Sequence, residues 1–352
     1  MPSSNESKSD ALKAARDRIR SNMSNFGNID KLALEVVEGK VESLARAITL
    51  IESKKIEDRP QAHQLLLKVV ELCVDSVEST RIGITGIPGV GKSTFIERLG
   101  LDLVNDGHKV AVLTVDPSSQ KTGGSILGDK TRMEKLSVSE GAFVRPSPAA
   151  DTLGGVARAT MEAILLCETA GYDHIIVETV GVGQSETSVR DMVDVFCLLL
   201  IGGAGDEVQG IKRGIVEMAD IVVVHKADGD NKALCKDTAS AYHSSLHLFP
   251  QPKGGHSVEV IIASSFTGEG HNDFKNSVNN LVSDWKSSGF FKSQRTSQRI
   301  ESMKMHARDL IMENTLSSQS SIKNWEELSK SVENGEMSAY SAAWKWVKAI
   351  TL

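Results

Sequence analysis

Short, almost uninterrupted apolar runs alternate along this chain with longer stretches whose apolar positions recur at helical spacing. Residues 81–85, 109–116, 142–145, 174–179, 195–201, 221–225 and 258–263 read as strands, rich in Val and Ile and apolar on both faces. That is the character of parallel strands covered by helices on both sides. Helical spacing fills the intervals at 93–106, 153–170, 210–218 and 232–249. The alternation predicts an α/β fold with a doubly wound, mostly parallel sheet, whose functional loops leave the C-terminal ends of the strands. Ahead of the sheet, Leu32, Val36, Val37, Val41, Leu44, Ile48 and Ile51 predict one helix over 29–52. Pro60 opens a second helix running to Val74. Beyond Gly270 the pattern is helical throughout, over 272–287, 293–315 and the tail 325–350. The expected organisation is a flexible arm (1–27), an N-terminal helical pair (28–78), a nucleotide-binding domain (79–288) and a C-terminal helical extension (289–352).

The first strand runs directly into Gly86-Ile-Pro-Gly-Val-Gly-Lys-Ser93, and Thr94 begins a helix. This is G-x-x-x-x-G-K-[ST] in its strand-to-helix setting, the P-loop pattern. The loop N–H groups and the positive end of the following helix attract a polyphosphate. Lys92 reaches the β- and γ-phosphates, and the Ser93 hydroxyl suits a magnesium ion. The chain is therefore expected to bind a nucleoside triphosphate.

Further strand ends carry matching chemistry. Asp116 opens the loop 116–133, and Glu178 ends an apolar strand as a Walker B acid does; both are candidates for magnesium or for orienting water. Gly181 follows, where an N–H can meet the γ-phosphate. The strand 221–225 ends in His225-Lys226-Ala227-Asp228. An Asp in this position can accept from N1–H and N2–H₂ of guanine, a pair adenine lacks, while the Lys226 stem lies on the ring. Ser264, Ser265 and Phe266 follow the last strand, where a backbone N–H can meet guanine O6. The expected nucleotide contacts are thus Gly86, Pro88, Gly89, Val90, Gly91, Lys92, Ser93 and Thr94, with His225, Lys226, Asp228, Ser264, Ser265 and Phe266.

Bulk properties narrow the class. A net charge of −6 over 352 residues, with no basic stripe, argues against nucleic acid as a partner. Cys73, Cys167, Cys197 and Cys235 form no C-x-x-C pair and read as reduced thiols. No apolar run reaches a membrane span. Residues 1–10 are polar and lack a secretory h-region, and Glu6, Asp10 and Asp17 argue against a mitochondrial transit peptide. A cytoplasmic location is expected, or the mitochondrial matrix in a eukaryote. His243 and His247 share a helix face at i, i+4 but have no third ligand beside them, so a solvated face is the reading.

These motifs, together with Leu44-Ala-Arg-Ala-Ile-Thr-Leu-Ile-Glu-Ser53, Asp116-Pro-Ser-Ser119, Arg145-Pro-Ser-Pro148, Leu153-Gly-Gly-Val-Ala-Arg-Ala-Thr160 and Glu178-Thr-Val-Gly-Val-Gly-Gln-Ser-Glu186, resemble the methylmalonyl-CoA mutase-associated GTPases, the MeaB/ArgK type of the SIMIBI class. The resemblance runs from about residue 40 to 270. It implies a GTP/GDP- and magnesium-dependent chaperone that gates adenosylcobalamin delivery to a mutase and protects it, and a homodimer built through C-terminal helices. It implies a magnesium and water network of Ser93, Asp116 and Glu178, switch loops at 116–133 and 178–186, and a coupling segment holding Asp206, Gln209 and Lys212. His225 stands where the family has Asn, and Ala263-Ser264-Ser265 where Ser-Ala is usual. Asp228 keeps the main guanine contact, so GTP remains the expected nucleotide, with affinity or selectivity reduced. A metal-insertion GTPase of the hydrogenase or urease maturation kind, and a chaperone of another cobalamin-dependent acyl-CoA mutase, are the alternative readings.

Overall fold

The computed structural model describes residues 28–53, 55–73, 78–115, 133–146, 153–179, 185–203, 213–246, 249–316 and 319–351. Asp116, Gly181, Asp206, Gln209 and Lys212 lie outside these residues, as does His247. The chain divides into two compact units, Met1–Arg295 and Thr296–Leu352.

The first unit opens with helices α1 (Ile29–Val37), α2 (Val41–Ile51) and, after a 3-10 turn at Ile56–Asp58, α3 (Arg59–Leu72). The single helix expected over 29–52 is two. At Gly39, φ is +76°. Gly39 N donates to Val36 O, and Lys40 N to Glu35 O, which is the Schellman motif that closes a helix on a left-handed glycine. Asn28 caps α1 by accepting from the N–H groups of Asp30 and Lys31, and Pro60 sits in the first turn of α3 as expected.

The sheet is built from β1 (Thr80–Gly86), β2 (Val110–Val115), β3 (Ala142–Pro146), β4 (His174–Thr179), β5 (Val195–Ile201), β6 (Ile221–His225) and β7 (Glu259–Ile262). The strands stand in the order β3-β2-β4-β1-β5-β6-β7, and every pairing is parallel. The intervening helices are α4 (Lys92–Asn105), α5 (Glu134–Ser137), α6 (Leu153–Thr169), α7 (Ser185–Arg190), α8 (Arg213–Met218) and α9 (Asn231–Leu246), and α10 (His271–Ser288) follows β7. From β1 the chain moves out to β2 and β3, returns to β4, then crosses to β5, β6 and β7 on the other side. The strand order therefore reverses around β1, and the crevice at its C-terminal end is where doubly wound sheets bind ligands.

Alternation of side chains across the pleat supplies a core on each face of the sheet. Ile82, Ile84, Val195, Cys197, Leu199, Ile221 and Val223 pack with Phe95 and Leu99 of α4 and Phe274 and Trp285 of α10. Leu198, Leu200, Val222 and Val224 face Ile215 of α8 and Cys235, Ala239 and Tyr242 of α9. Burial pushes the Cys197 thiol well up, and the four cysteines are free thiols.

At the N-terminal ends of β1 and β5 lies a buried ionic cluster. Arg81 donates to both carboxylate oxygens of Glu168 at 2.8 Å. Arg295 donates to both oxygens of Asp194 and to Glu168 at 3.0 Å. Its Nη2 also donates to Ser79 O at 3.0 Å.

Helix α11 (Phe290–Leu316) contains the boundary between the units; α12 (Gln319–Glu333) and α13 (Ala339–Thr351) follow. The tail read as helical over 325–350 is broken between these two helices. Gly335, at φ +73°, ends α12 in a second Schellman motif, with Glu336 N donating to Ser331 O. The rings of Trp325 and Trp346 meet edge to face at 4.9 Å, and Trp346 Nε1 donates to Ser321 O. No helix among the described residues is long and apolar enough to cross a membrane.

Candidate nucleotide site

The phosphate loop joins β1 to α4 in the reversal crevice. Gly86 ends β1 against β5, and a Cβ there would come within 2.6 Å of Leu199 O. Gly91 starts α4 at φ +97°, and a Cβ would strike the His225 ring at 2.9 Å. Both glycines are required by close approach as well as by conformation. Val90 is buried in the main core, while Pro88 and Gly89 are exposed at the tip and Thr94 on the first turn of α4. Lys92 is buried at 7% exposure, and its Nζ donates to Gly86 O at 2.7 Å and Ile87 O at 3.3 Å. The ammonium therefore lies under the loop that it would serve.

Glu178 stands on β4, in register with Ile84 of β1 and Thr114 of β2. It is 6% exposed, and its Oε1 accepts from Ser93 Oγ at 3.2 Å. Two of the three residues expected at magnesium are thus in contact, and both offer the hard oxygen donors that ion takes. One position along, Thr179 Oγ1 donates to Thr85 Oγ1 at 2.8 Å, and both are fully buried. This clamp between the ends of β4 and β1 was not among the residues expected from sequence. It holds the acid and the phosphate loop in fixed relation.

The loops expected to read the base converge on the same edge. Lys226, a non-glycine residue at φ +60°, turns its side chain over the phosphate loop, and Nζ donates to Gly89 O at 2.7 Å. Asp228 Oδ1 accepts from Ser264 Oγ at 2.7 Å. Ala227 N donates to Ala263 O, and Ala263 N to Val224 O, so the loops after β6 and β7 are stitched together. Phe266 is 89% exposed beside them.

His225 turns out to be a latch. A carbonyl can only accept, so the 2.9 Å contact to Val90 O puts a proton on Nδ1. Its Nε2 is then an acceptor and takes the Ser265 hydroxyl at 2.7 Å. Ser265 Oγ in turn accepts from His271 Nε2 at 3.1 Å, which leaves His271 Nδ1 bare, buried and without a hydrogen-bond partner among the described residues. Phe95 lies against both imidazoles. Serine was expected here for the base; its link to His271, which opens α10, has no short-range sequence signal. Burial lowers the His225 pKa, against the opposing Val90 hydrogen bond. Burial likewise pushes His271 down to about 4.

The neutral state of this relay is expected to persist through neutral pH. A histidine whose folded pKa is lowered contributes stability that is fully present above its ordinary value of about 6.5 and lost as pH falls through the lowered one. Nucleotide affinity should therefore be flat between about pH 7 and 8 and fall on acidification. His225→Ala leaves the buried Val90 carbonyl unpaired, a cost of about 1–3 kcal/mol, so nucleotide affinity should drop on the order of tenfold. His225→Asn keeps a donor and should retain most of it. Fluorescent-nucleotide titration checks both; equal affinity of the Ala variant and the parent would remove the latch role.

Comparison with known proteins gives the family. The family described as Methylmalonyl Co-A mutase-associated GTPase MeaB matches residues 44–320. The chain is 45% identical over 295 residues to a Mus musculus protein named methylmalonic aciduria type A homolog, mitochondrial, covering 82% of this chain and 70% of that one. It is 39% identical over 301 residues to GTPase ArgK of Escherichia coli (strain K12), covering 86% and 90%. Among solved structures, one described as an LAO/AO transport system kinase aligns with a TM-score of 0.69 at 31% identity, covering 93% of this chain and 99% of that one. The chain belongs to the MeaB family of methylmalonyl-CoA mutase-associated GTPases and is a P-loop GTPase.

Proposed function

We propose that this GTPase gates adenosylcobalamin delivery to methylmalonyl-CoA mutase and protects that enzyme. One observation carries the reading. In a chain of the mutase-associated family, a phosphate loop, a strand-end acid and a Lys-x-Asp base loop meet at one edge of the sheet. Lys92 and the loop N–H groups bind the phosphates and bear the charge that grows on the γ-phosphoryl group as water attacks in line. Asp228 reads guanine, with Lys226 over the ring and Ser264, Ser265 and Phe266 completing the base pocket. Ser93 and Glu178, with Asp116, would hold magnesium, which supplies charge neutralisation between the β- and γ-phosphates. Gly181, Asp206 and Lys212 belong to the proposed loops that sense the γ-phosphate and the partner. The proposal includes a homodimer formed through residues 289–352; exposed Tyr340, Trp344 and Val347 in the second unit suit a protein interface. It places the protein in the cytoplasm, or in the matrix if the source is eukaryotic.

The experiment is steady-state hydrolysis of GTP and ATP by the purified protein, with and without a methylmalonyl-CoA mutase. GTP should be preferred by well over tenfold, because a site built to bond one base leaves buried groups unpaired against another. The mutase should raise the GTP rate. Equal use of ATP removes the base assignment; a GTP rate indifferent to the mutase removes the partner and leaves the hydrolase.

A further inference from the structure

At the N-terminal edge of the sheet, opposite the nucleotide edge, His108 and Asp173, just ahead of the neighbouring strands β2 and β4, come together with His174, the first residue of β4. His108 Nδ1 lies 2.9 Å from Asp173 Oδ2, and His174 Nδ1 lies 3.1 Å from Asp173 Oδ1. The two imidazoles pack edge to face with centroids 4.5 Å apart. One carboxylate is thus gripped by a ring on each oxygen, and one ligand atom from each residue lies within 4.8 Å of the others.

The backbone here is held by helix closure on both sides. Gly107 ends α4 at φ +92° and Gly171 ends α6 at φ +87°. Each forms a Schellman motif, with His108 N donating to Leu103 O and Tyr172 N to Cys167 O. Asp173 is fixed further: its Oδ1 accepts from Lys109 N at 3.0 Å, its N–H donates to Lys109 O, and its carbonyl accepts from Thr80 N.

We propose that His108, Asp173 and His174 form a binding site for a divalent transition-metal ion, with zinc the ion that they suit. The donor set is two imidazoles and one carboxylate, which favours zinc and its neighbours over magnesium. Bonds of about 2.0–2.1 Å in a tetrahedral site put ligand atoms about 3.3 Å apart; each nitrogen already lies near that distance from one oxygen of the carboxylate, and with one atom of each residue within 4.8 Å of the others, small side-chain rotations bring all three onto one ion. The ion takes the place of the hydrogens shared between rings and carboxylate. Each neutral imidazole then carries its proton on Nε2, and each remains a neutral ligand. The fourth position opens to solvent, since the His108 and Asp173 side chains are 42% and 30% exposed while His174 is 10%. That is three protein ligands and an open site. Bound there, the ion ties the starts of β2 and β4 together.

The test uses the full-length, nucleotide-free protein, stripped with chelator and held in excess magnesium so that the phosphate site is filled by the harder ion. Dialysis against zinc, desalting and metal analysis should find about one zinc per chain. His108→Gln and His174→Gln should each weaken retention tenfold or more, and the double variant should abolish it, with circular dichroism and GTP hydrolysis unchanged. Cobalt as a probe should give the strong visible absorption of a four-coordinate ion in the parent and not in the double variant. Zinc retained equally by the double variant would place the ion elsewhere and overturn the proposal. So would a parent protein that retains none.

Discussion

Lys92→Ala should lower GTP turnover by about 10²–10³, the loss seen when one preorganised donor to a developing charge is removed. The expectation follows from position as much as from motif. Nζ is buried and bonded to Gly86 O and Ile87 O, so the charge is already desolvated and centred under the loop. A γ-phosphate arriving above it offers a charged acceptor, and charge-assisted hydrogen bonds are the stronger kind. The ammonium gains most when negative charge accumulates in the transition state, so the loss should fall on turnover beyond any loss in binding. Lys92→Arg should recover little, because the larger fork must enter a space that leaves the lysine only 7% exposed. Single-turnover hydrolysis at saturating GTP separates the two effects. Unchanged turnover in the Ala variant would sink the phosphate-loop role of Lys92.

Arg295→Met should destabilise the first unit by about 3–5 kcal/mol, the range for stripping one partner from a buried charge. Asp194 is fully buried, and its carboxylate accepts from Arg295 on both oxygens and from Arg81 N at 2.8 Å. Without the guanidinium, the Arg81 N–H is the hydrogen bond left to the Asp194 carboxylate among the described residues, and Glu168 loses the Arg295 contact while keeping Arg81. Arg295→Met with Asp194→Asn should recover part of the loss, since neutralising the stranded acid removes its desolvation penalty. Urea unfolding followed by backbone circular dichroism gives both values; a shift below about 1 kcal/mol for the single variant would count this cluster among weak ion pairs. Acid should weaken the same cluster. Burial works to raise the Glu168 pKa, but the Arg81 hydrogen bonds and the charges of Arg81 and Arg295 outweigh it and hold the carboxyl below its ordinary value. A depressed carboxyl contributes stability that is present above its unfolded pKa of about 4.3 and lost as pH falls through the folded one.

The strands were legible because a parallel strand covered on both faces must be apolar throughout, and β4, β5 and β6 have the bounds that the apolar runs predict. The phosphate loop, Glu178 and the Lys226–Asp228 turn were legible because each is a short motif fixed to a strand end. What periodicity missed were two helix breaks. At Gly39 and Gly335 the apolar spacing continues on both sides, and only the left-handed backbone of a closing glycine interrupts it. A glycine inside a helical pattern is tolerated often enough that spacing alone does not mark the stop.

The sequence by itself determined that this is a doubly wound P-loop protein of the mutase-associated GTPase kind, because those properties reside in local pattern and short motifs. Tertiary structure decided what joins distant residues. It set the His225 ring between the Val90 carbonyl and Ser265, whose hydroxyl oxygen also meets His271. It set Thr179 on Thr85, and it brought Arg295 across more than 200 positions to Ser79. It also gathered His108, Asp173 and His174, which a sequence search for local ligand spacing passes over. Hydrogen bonds and ion pairs depend on separations of about 3 Å in space. Strand order, which brings β2 beside β4 and β1 between β4 and β5, sets those separations, and it emerges only when the whole sheet has formed.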